Sequence, residues 1–252
     1  MFQYFKLPAP PAPIPVESLP LGSLYPWVMH WKTPLIVALI YSVTVTYCNT
    51  KQTGGLSRVQ AKQLQADKTG TVQKPTKSRG KSSPWFTAFI FLHNLTLCIY
   101  SGITFAKVAP VMYQQFTTQS FYDAMCDTRQ VIWKEALFSW GYLFYLSKFY
   151  EIIDTIIILL KGRKSSMLQT YHHSGAMLCM WAGIHFQSMP IWIFVVFNSF
   201  VHTIMYFYYM CTSVGIHPPG KKYITTMQIS QFLVGIALAN SYLFLDGCLQ
   251  TQ

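Results

Sequence analysis

A chain of 252 residues that is 52% hydrophobic, 16% aromatic and only 11% charged has more apolar surface than a water-facing shell can hide. That excludes an ordinary soluble domain, where about a quarter of residues carry charge, and makes lipid the natural solvent. The formal net charge of +11 raises nucleic acid as a partner, but the charges are distributed as membrane topology requires instead.

The predicted architecture is all-α, a multi-pass transmembrane helical bundle. Residues 1–33 form a proline-rich N-terminus whose run Leu7-Pro8-Ala9-Pro10-Pro11-Ala12-Pro13 cannot continue a helix and is no secretory signal. The first span, residues 34–48 (Pro34–Cys48, extendable back to Trp27), then stays in the membrane as an anchor, with Pro34 in its first turn. Residues 49–84 are poor in apolar side chains and rich in Lys, Gln, Thr, Ser and Gly, the composition of a disordered loop. Residues 85–252 form the transmembrane core. Its spans are Trp85–Ala109, Ala136–Leu160, Leu168–Phe186, Met189–Thr212 and Thr225–Leu245, which makes six with the first. Short connectors imply antiparallel neighbours. The six cysteines, Cys48, Cys98, Cys126, Cys179, Cys211 and Cys248, include no CxxC pair, and neither a disulfide framework nor a zinc site is expected among them.

The first loop holds Lys51, Arg58, Lys62, Lys68, Lys74, Lys77, Arg79 and Lys81 against the single acid Asp67. The third loop adds Lys161, Arg163 and Lys164, and the fifth Lys221 and Lys222. Odd-numbered loops are therefore expected in the cytosol and the N-terminus across the membrane. A basic cytosolic face would also attract polyanions such as coenzyme A thioesters or anionic lipid.

Charged residues inside a span are expensive, so each needs a partner, a cavity or a task. In the third span Lys148, Glu151, Asp154 and Thr155 fall within one arc of the helix, and Lys148 can pair directly with Glu151. A structural ion pair and a functional site are both open readings of that arc. Gln169, His172 and His173 share a face of the fourth span, and neutral imidazole is nucleophilic and basic near pH 7. His202, Met205, Tyr206 and Tyr209 share a face of the fifth; the other reading of such a stripe is a core or an interfacial belt. Thr225, Gln228 and Gln231 line one strip of the sixth, where hydrogen-bonded helix association is the other reading. Because the spans alternate in direction, all four groups lie between mid-membrane and the cytosolic face. A polar pocket with apolar walls follows, a shape suited to an acyl chain whose reactive head stays at the mouth.

These residues resemble a known family. Lys148–Thr155 is similar to the KxxExxDT signature of the ELO family, the fatty-acid elongases of the endoplasmic reticulum. Gln169–His173 resembles its HxxHH box, His202–Tyr209 its HxxMYxYY motif, Thr225–Gln231 its TxxQxxQ motif, and His93-Asn94 a His-Asn pair common there. The resemblance implies a helical bundle around a narrow acyl tunnel, in a multi-pass endoplasmic reticulum protein with a lumenal N-terminus. It implies an acyltransferase, a very-long-chain 3-oxoacyl-CoA synthase. Acyl-CoA condenses with malonyl-CoA, and CO2 and CoA are released. No bound cofactor or metal is implied; malonyl-CoA is the co-substrate. By the same analogy His172 is the nucleophile that becomes an acyl-imidazole, His202 supports binding and the carbanion step, and His173 belongs with them. Lys148, Glu151, Asp154, Gln169, Met205, Tyr206, Tyr209, Thr225, Gln228, Gln231 and Asn94 are the expected substrate-binding set. Expected partners are the two thioesters, membrane lipid, and other elongation-cycle enzymes or a second copy, with no nucleic acid.

Two departures from the family pattern carry expectations of their own. Gln169 stands where the box has its first histidine, a form that resembles members acting on polyunsaturated chains. The family has seven spans, so a chain with six reads as truncated at its C-terminal end. An inactive relative acting as a lipid-binding scaffold is therefore the alternative. A di-iron desaturase is less well supported: it needs about eight histidines in HxxxH and HxxHH groups. This chain has 7, of which His30, His93, His185 and His217 fall in no box. A transporter would need interrupted half-helices, which are not evident.

Overall fold

The computed structural model describes residues 15–52, 83–245 and 248. The proline-rich opening (1–14) and most of the loop expected to be disordered (53–82) lie outside the described residues.

Two 3₁₀ turns, Val16–Ser18 and Gly22–Leu24, and a one-turn helix α1 (Tyr25–Val28) precede α2 (Lys32–Lys51). Helix α2 buries Ala38, Tyr41 and Val45 on one side and exposes Leu35, Ile36, Leu39 and Ile40 on the other, as hydrocarbon contact allows. Asn49 to Lys51 are helical rather than part of the following loop. Helix α3 (Pro84–Thr118) opens on Pro84, whose missing N–H costs nothing in the first turn. It runs through Pro110 to 35 residues, beyond the expected stop at Ala109. Proline removes one backbone bond but does not end a helix held on both sides by packing.

Helix α4 (Phe121–Cys126) is capped by Ser120, whose hydroxyl accepts the Asp123 N–H, and ends at Asp127 in the left-handed conformation. The third span differs from a single helix. It comprises a π-helix over Trp133–Gly141, α5 (Tyr142–Tyr150), a break at Glu151, and α6 (Ile152–Leu160). Wide π turns change the face that each following side chain presents. Helix α7 (Met167–His185) begins under a Ser166 cap. Helix α8 (Ile191–Ser213) follows a tight turn, and a Cβ on Gly183, in the last turn of α7, would overlap the Ile191 side chain, so glycine permits the close approach. Helix α9 (Lys221–Ser241) starts after Gly220 at φ +101°, and a 3₁₀ turn, Tyr242–Phe244, closes it.

The protein is a multi-pass helical membrane protein. Among the described residues, four helical stretches are long and apolar enough to cross a bilayer: Lys32–Lys51, Pro84–Thr118, Ile191–Ser213 and Lys221–Phe244. Helix α3 packs chiefly on α8, α2 on α7, α5 on α7, and α9 on α8. Helix α9 buries only Ile224 and joins the bundle along one edge.

The main core lies at the end away from the basic loops. Leu137, Tyr142, Tyr145, Met177, Ile184 and Val195 are packed there behind the N-terminal turns. Tyr145 and Trp181 donate to the Val28 and Met29 carbonyls at 2.7 and 2.9 Å, which satisfies backbone that would otherwise be stranded. One expectation is corrected at this end: Cys126 and Cys248 form a disulfide across 122 residues. Local spacing could not reveal it, because the end of α4 and the segment after α9 meet only in the folded bundle.

Candidate active site

A polar layer separates the main core from a small cluster of Leu97, Met205, Tyr206 and Ile224. At its centre the Lys148 ammonium, fully buried, donates to Glu151 Oε1 at 2.7 Å and to Asn198 Oδ1 at 2.9 Å. The Phe144 ring face lies 3.8 Å away and takes up the remaining side of the cation. Ser147 Oγ also donates to Glu151 Oε1, at 3.2 Å. Asn198 Nδ2 sits 3.0 Å from His202 Nε2, and His202 Nδ1 lies 3.8 Å from Glu151 Oε1.

The predicted arc on the third span divides in two. Asp154 faces α3 and α8: His93 Nε2 donates to Oδ1 at 2.8 Å and the Tyr206 hydroxyl to Oδ2 at 2.6 Å. Thr155 faces the other way, 2.8 Å from the Tyr41 hydroxyl and 3.2 Å from Gln169 Nε2, which donates to it. The break at Glu151 and the turn of α6 send consecutive residues to different neighbours.

The two histidines of α7 also separate. His173 is buried, its ring 6.1 Å from that of Tyr41 and its Nδ1 without a hydrogen-bond partner among the described residues. His172 turns the other way, with its ring 6.4 Å from His202, 5.3 Å from Phe232 and 6.5 Å from Phe194. Beside it runs an open-sided apolar groove of about 470 Å³, floored by Ile191 and Phe194 and walled by Gly175, Ala176, Cys179 and Met180. An imidazole at the head of an apolar groove, backed by a second imidazole and a buried ion pair, can take an acyl group whose hydrocarbon lies along the wall.

Other expected residues are less central. Met205 is buried and its sulfur accepts from Gln228 Nε2 at 3.0 Å, while Gln231 Oε1 is a buried atom without a partner among the described residues. Thr225 is exposed, and Tyr209 is 41% exposed. Asn94 is spent on its own helix, donating to the Ile90 carbonyl at 2.7 Å, and its neighbour His93 takes the place facing Asp154. Sequence reasoning passed over Asn198 and Tyr41 and gave His93 no role. The usable signal for Asn198 was a lone amide amid Ile191–Val201, four residues before His202.

The description of the GNS1/SUR4 (ELO) family matches residues 26–251, nearly the whole chain. The chain belongs to the ELO family. Among its relatives, the fatty acid elongase sre1 of Dictyostelium discoideum is 35% identical over 167 residues, 66% of this chain and 62% of that protein. The fatty acid elongase A of the same organism is 37% identical over 158 residues, covering 63% and 57%. The long chain fatty acid elongase 2 of Caenorhabditis elegans is 28% identical over 160 residues, covering 62% and 58%. The chain thus matches under two thirds of the length of these ELO relatives. Three of the four motifs that carry the family resemblance supply Lys148, Glu151, Asp154, His172, His202 and Tyr206 to the polar layer and its edge.

Proposed function

We propose that this chain is a fatty-acid elongase that joins an acyl-CoA to malonyl-CoA, giving a 3-ketoacyl-CoA two carbons longer with release of CO2 and CoA. The observation that carries this reading is His172 at the head of the apolar groove, its ring 6.4 Å from His202. The relatives are named as fatty acid elongases, which agrees with it.

The chemistry runs in two halves. An imidazole nitrogen of His172 attacks the thioester carbonyl, a carbon–nitrogen bond forms, and the carbon–sulfur bond breaks to release CoA thiolate. Malonyl-CoA then loses CO2, and the electron pair left behind attacks the acyl carbon as the imidazole departs. Apolar walls from Phe194 and Phe232 exclude water from the acyl-imidazole, which would otherwise hydrolyse. His202 flanks the reacting carbon, while His173, turned toward Tyr41, supports the layer from behind. The ring of Lys148, Glu151 and Asn198 and the His93–Asp154–Tyr206 group hold the layer in shape. Gln169 in place of the box's first histidine, the form that resembles members acting on polyunsaturated chains, supports a preference for such chains.

In this reading the protein resides in the endoplasmic reticulum membrane with its basic loops cytosolic, where Lys161, Arg163 and Lys164 meet the polyanionic CoA moieties. A disulfide at the opposite end fits an oxidising lumen there.

The test is condensation in microsomes from cells expressing the full-length protein, supplied with acyl-CoA and labelled malonyl-CoA. We expect labelled 3-ketoacyl-CoA, and an acyl adduct on His172 by mass spectrometry that His172→Ala abolishes. No product from any acyl-CoA sinks the enzyme reading; an adduct that survives in His172→Ala moves the nucleophile elsewhere.

A further inference from the structure

We propose that Asn198 is a positioning residue that fixes His202 as the Nδ1–H tautomer with a bare Nε2. The inference deepens the elongase reading and rests on it for its role in the reaction.

Lysine has donors only, so the Asn198 atom 2.9 Å from Lys148 Nζ must be the amide oxygen. That orients the amide and turns its NH2 toward His202 Nε2 at 3.0 Å. An NH2 group can only donate, so Nε2 must carry a lone pair, and a neutral ring then keeps its proton on Nδ1. Nδ1 in turn faces Glu151 Oε1 at 3.8 Å, the oxygen that Lys148 holds at 2.7 Å. Lys148, Asn198 and His202 therefore form a chain in which each group dictates the next, with the Glu151 carboxylate standing 3.8 Å beyond Nδ1. Asn198 and His202 lie four apart on α8 and are 2% and 5% exposed, so bulk water does not reset the arrangement.

Other titratable groups stand around this chain of contacts. Glu151, Lys148 and Asp154 come from the third span, His172 and His173 from α7, and Tyr206 from α8 itself. Helix α3 contributes His93, which is bonded to Asp154, and Tyr100 near Glu151. With Nε2 engaged by Asn198 and the proton held on Nδ1, the neutral His202 ring neither competes with His172 for the acyl group nor adds a cation 6.4 Å from it.

Asn198→Asp is nearly isosteric but removes the donor. The carboxylate now requires a proton on Nε2 while Glu151 still faces Nδ1, so His202 should become doubly protonated. The measurement is ¹⁵N NMR of the full-length, histidine-labelled protein in detergent at pH 7, with His202 assigned by difference from His202→Asn. We expect a protonated Nδ1 and unprotonated Nε2 in the wild type, and both nitrogens protonated in Asn198→Asp. Condensation by Asn198→Asp should fall by about 10²-fold or more at neutral pH, as when a catalytic histidine is given the wrong protonation. It should recover as pH rises, while acyl adduct on His172 still forms. A wild-type Nε2–H, a doubly protonated wild-type ring, or an Asn198→Asp ring unchanged from wild type overturns the assignment. An active wild type whose Asn198→Asp variant is equally active removes the positioning role. If Asn198→Asp does not fold, the wild-type spectrum alone decides the tautomer. A wild type that shows the expected spectrum but condenses nothing sinks the elongase reading and leaves the tautomer standing.

Discussion

Lys148 has lost all contact with water, and only its partners make that tolerable. Taking an ammonium out of water costs several kcal/mol, which the Glu151 carboxylate, the Asn198 amide oxygen and the Phe144 ring offset together. Lys148→Met should therefore destabilise the protein by about 3–5 kcal/mol, because it leaves Glu151 buried without a counter-charge. Adding Glu151→Gln should recover much of that loss, since the stranded charge is then gone. Thermal denaturation of the detergent-purified variants measures both changes. A double variant no more stable than Lys148→Met would mean that the two residues do not act as a pair. A cation with its donors engaged by Glu151, Asn198 and the Phe144 ring supports its neighbours more directly than it could grip a ligand.

Helix α4 is short, so its termini matter more than its middle. Ser120 accepts the Asp123 N–H at 3.1 Å and donates its own hydroxyl to Asp123 Oδ2 at 2.6 Å, a reciprocal cap. Thr128 donates to Asp123 Oδ1 at 2.9 Å. These hydroxyls, Ser120 first, hold the Asp123 carboxyl below its ordinary range. A native value below the unfolded one means that the stabilisation is present above the unfolded value of about 4. It is lost as pH falls through the lowered native value. Amide exchange protection over Phe121–Cys126 should thus drop as the medium is acidified below about pH 4. In Asp123→Ala it should be weaker and nearly flat across that range. An unchanged acid profile in the variant would assign the drop to another group. The third span makes a related point about elements: its π turns and the break at Glu151 redirect side chains that an ideal helix would keep on one face.

For the molecule as a whole, the sidedness of charge and the sidedness of the disulfide coincide. Asn49 bonds to Ser165 and Gln52 to the Leu159 carbonyl, so the ends of α2 and α6 meet the start of α7 at the end carrying the basic loops. Cys126 and Cys248 join α4 to the segment after α9 at the other end, near Trp192, whose indole donates to Tyr242, and near the Tyr242 hydroxyl, which donates to the Met125 carbonyl. That clasp secures the C-terminal end of α9, which otherwise packs chiefly on α8. In sealed microsomes a membrane-impermeant reductant should leave the disulfide intact, and it should be broken only after detergent is added. Gel mobility of thiol-alkylated protein distinguishes the two states. Reduction without detergent would put this end in the cytosol and reverse the proposed orientation.

By itself the sequence determined the class, the helices and the pairings that are local. Apolar runs define spans because the bilayer sets their length, and helical periodicity puts Lys148 beside Glu151 because three residues nearly complete a turn. Those are properties of a few neighbouring residues. The tertiary structure alone decided that His93 rather than Asn94 meets Asp154, that Thr155 turns to Tyr41, that Thr225 is left exposed, and that Cys126 reaches Cys248. It also decided that Asn198 links His202 to Lys148 on another helix. The bonds that assemble the site span 50, 61 and 52 residues of sequence, and no spacing rule extends across separate helices. Only the packing of α3, α5, α6 and α8 chooses which polar group meets which, because a buried donor or acceptor left without a partner costs more than any local preference returns.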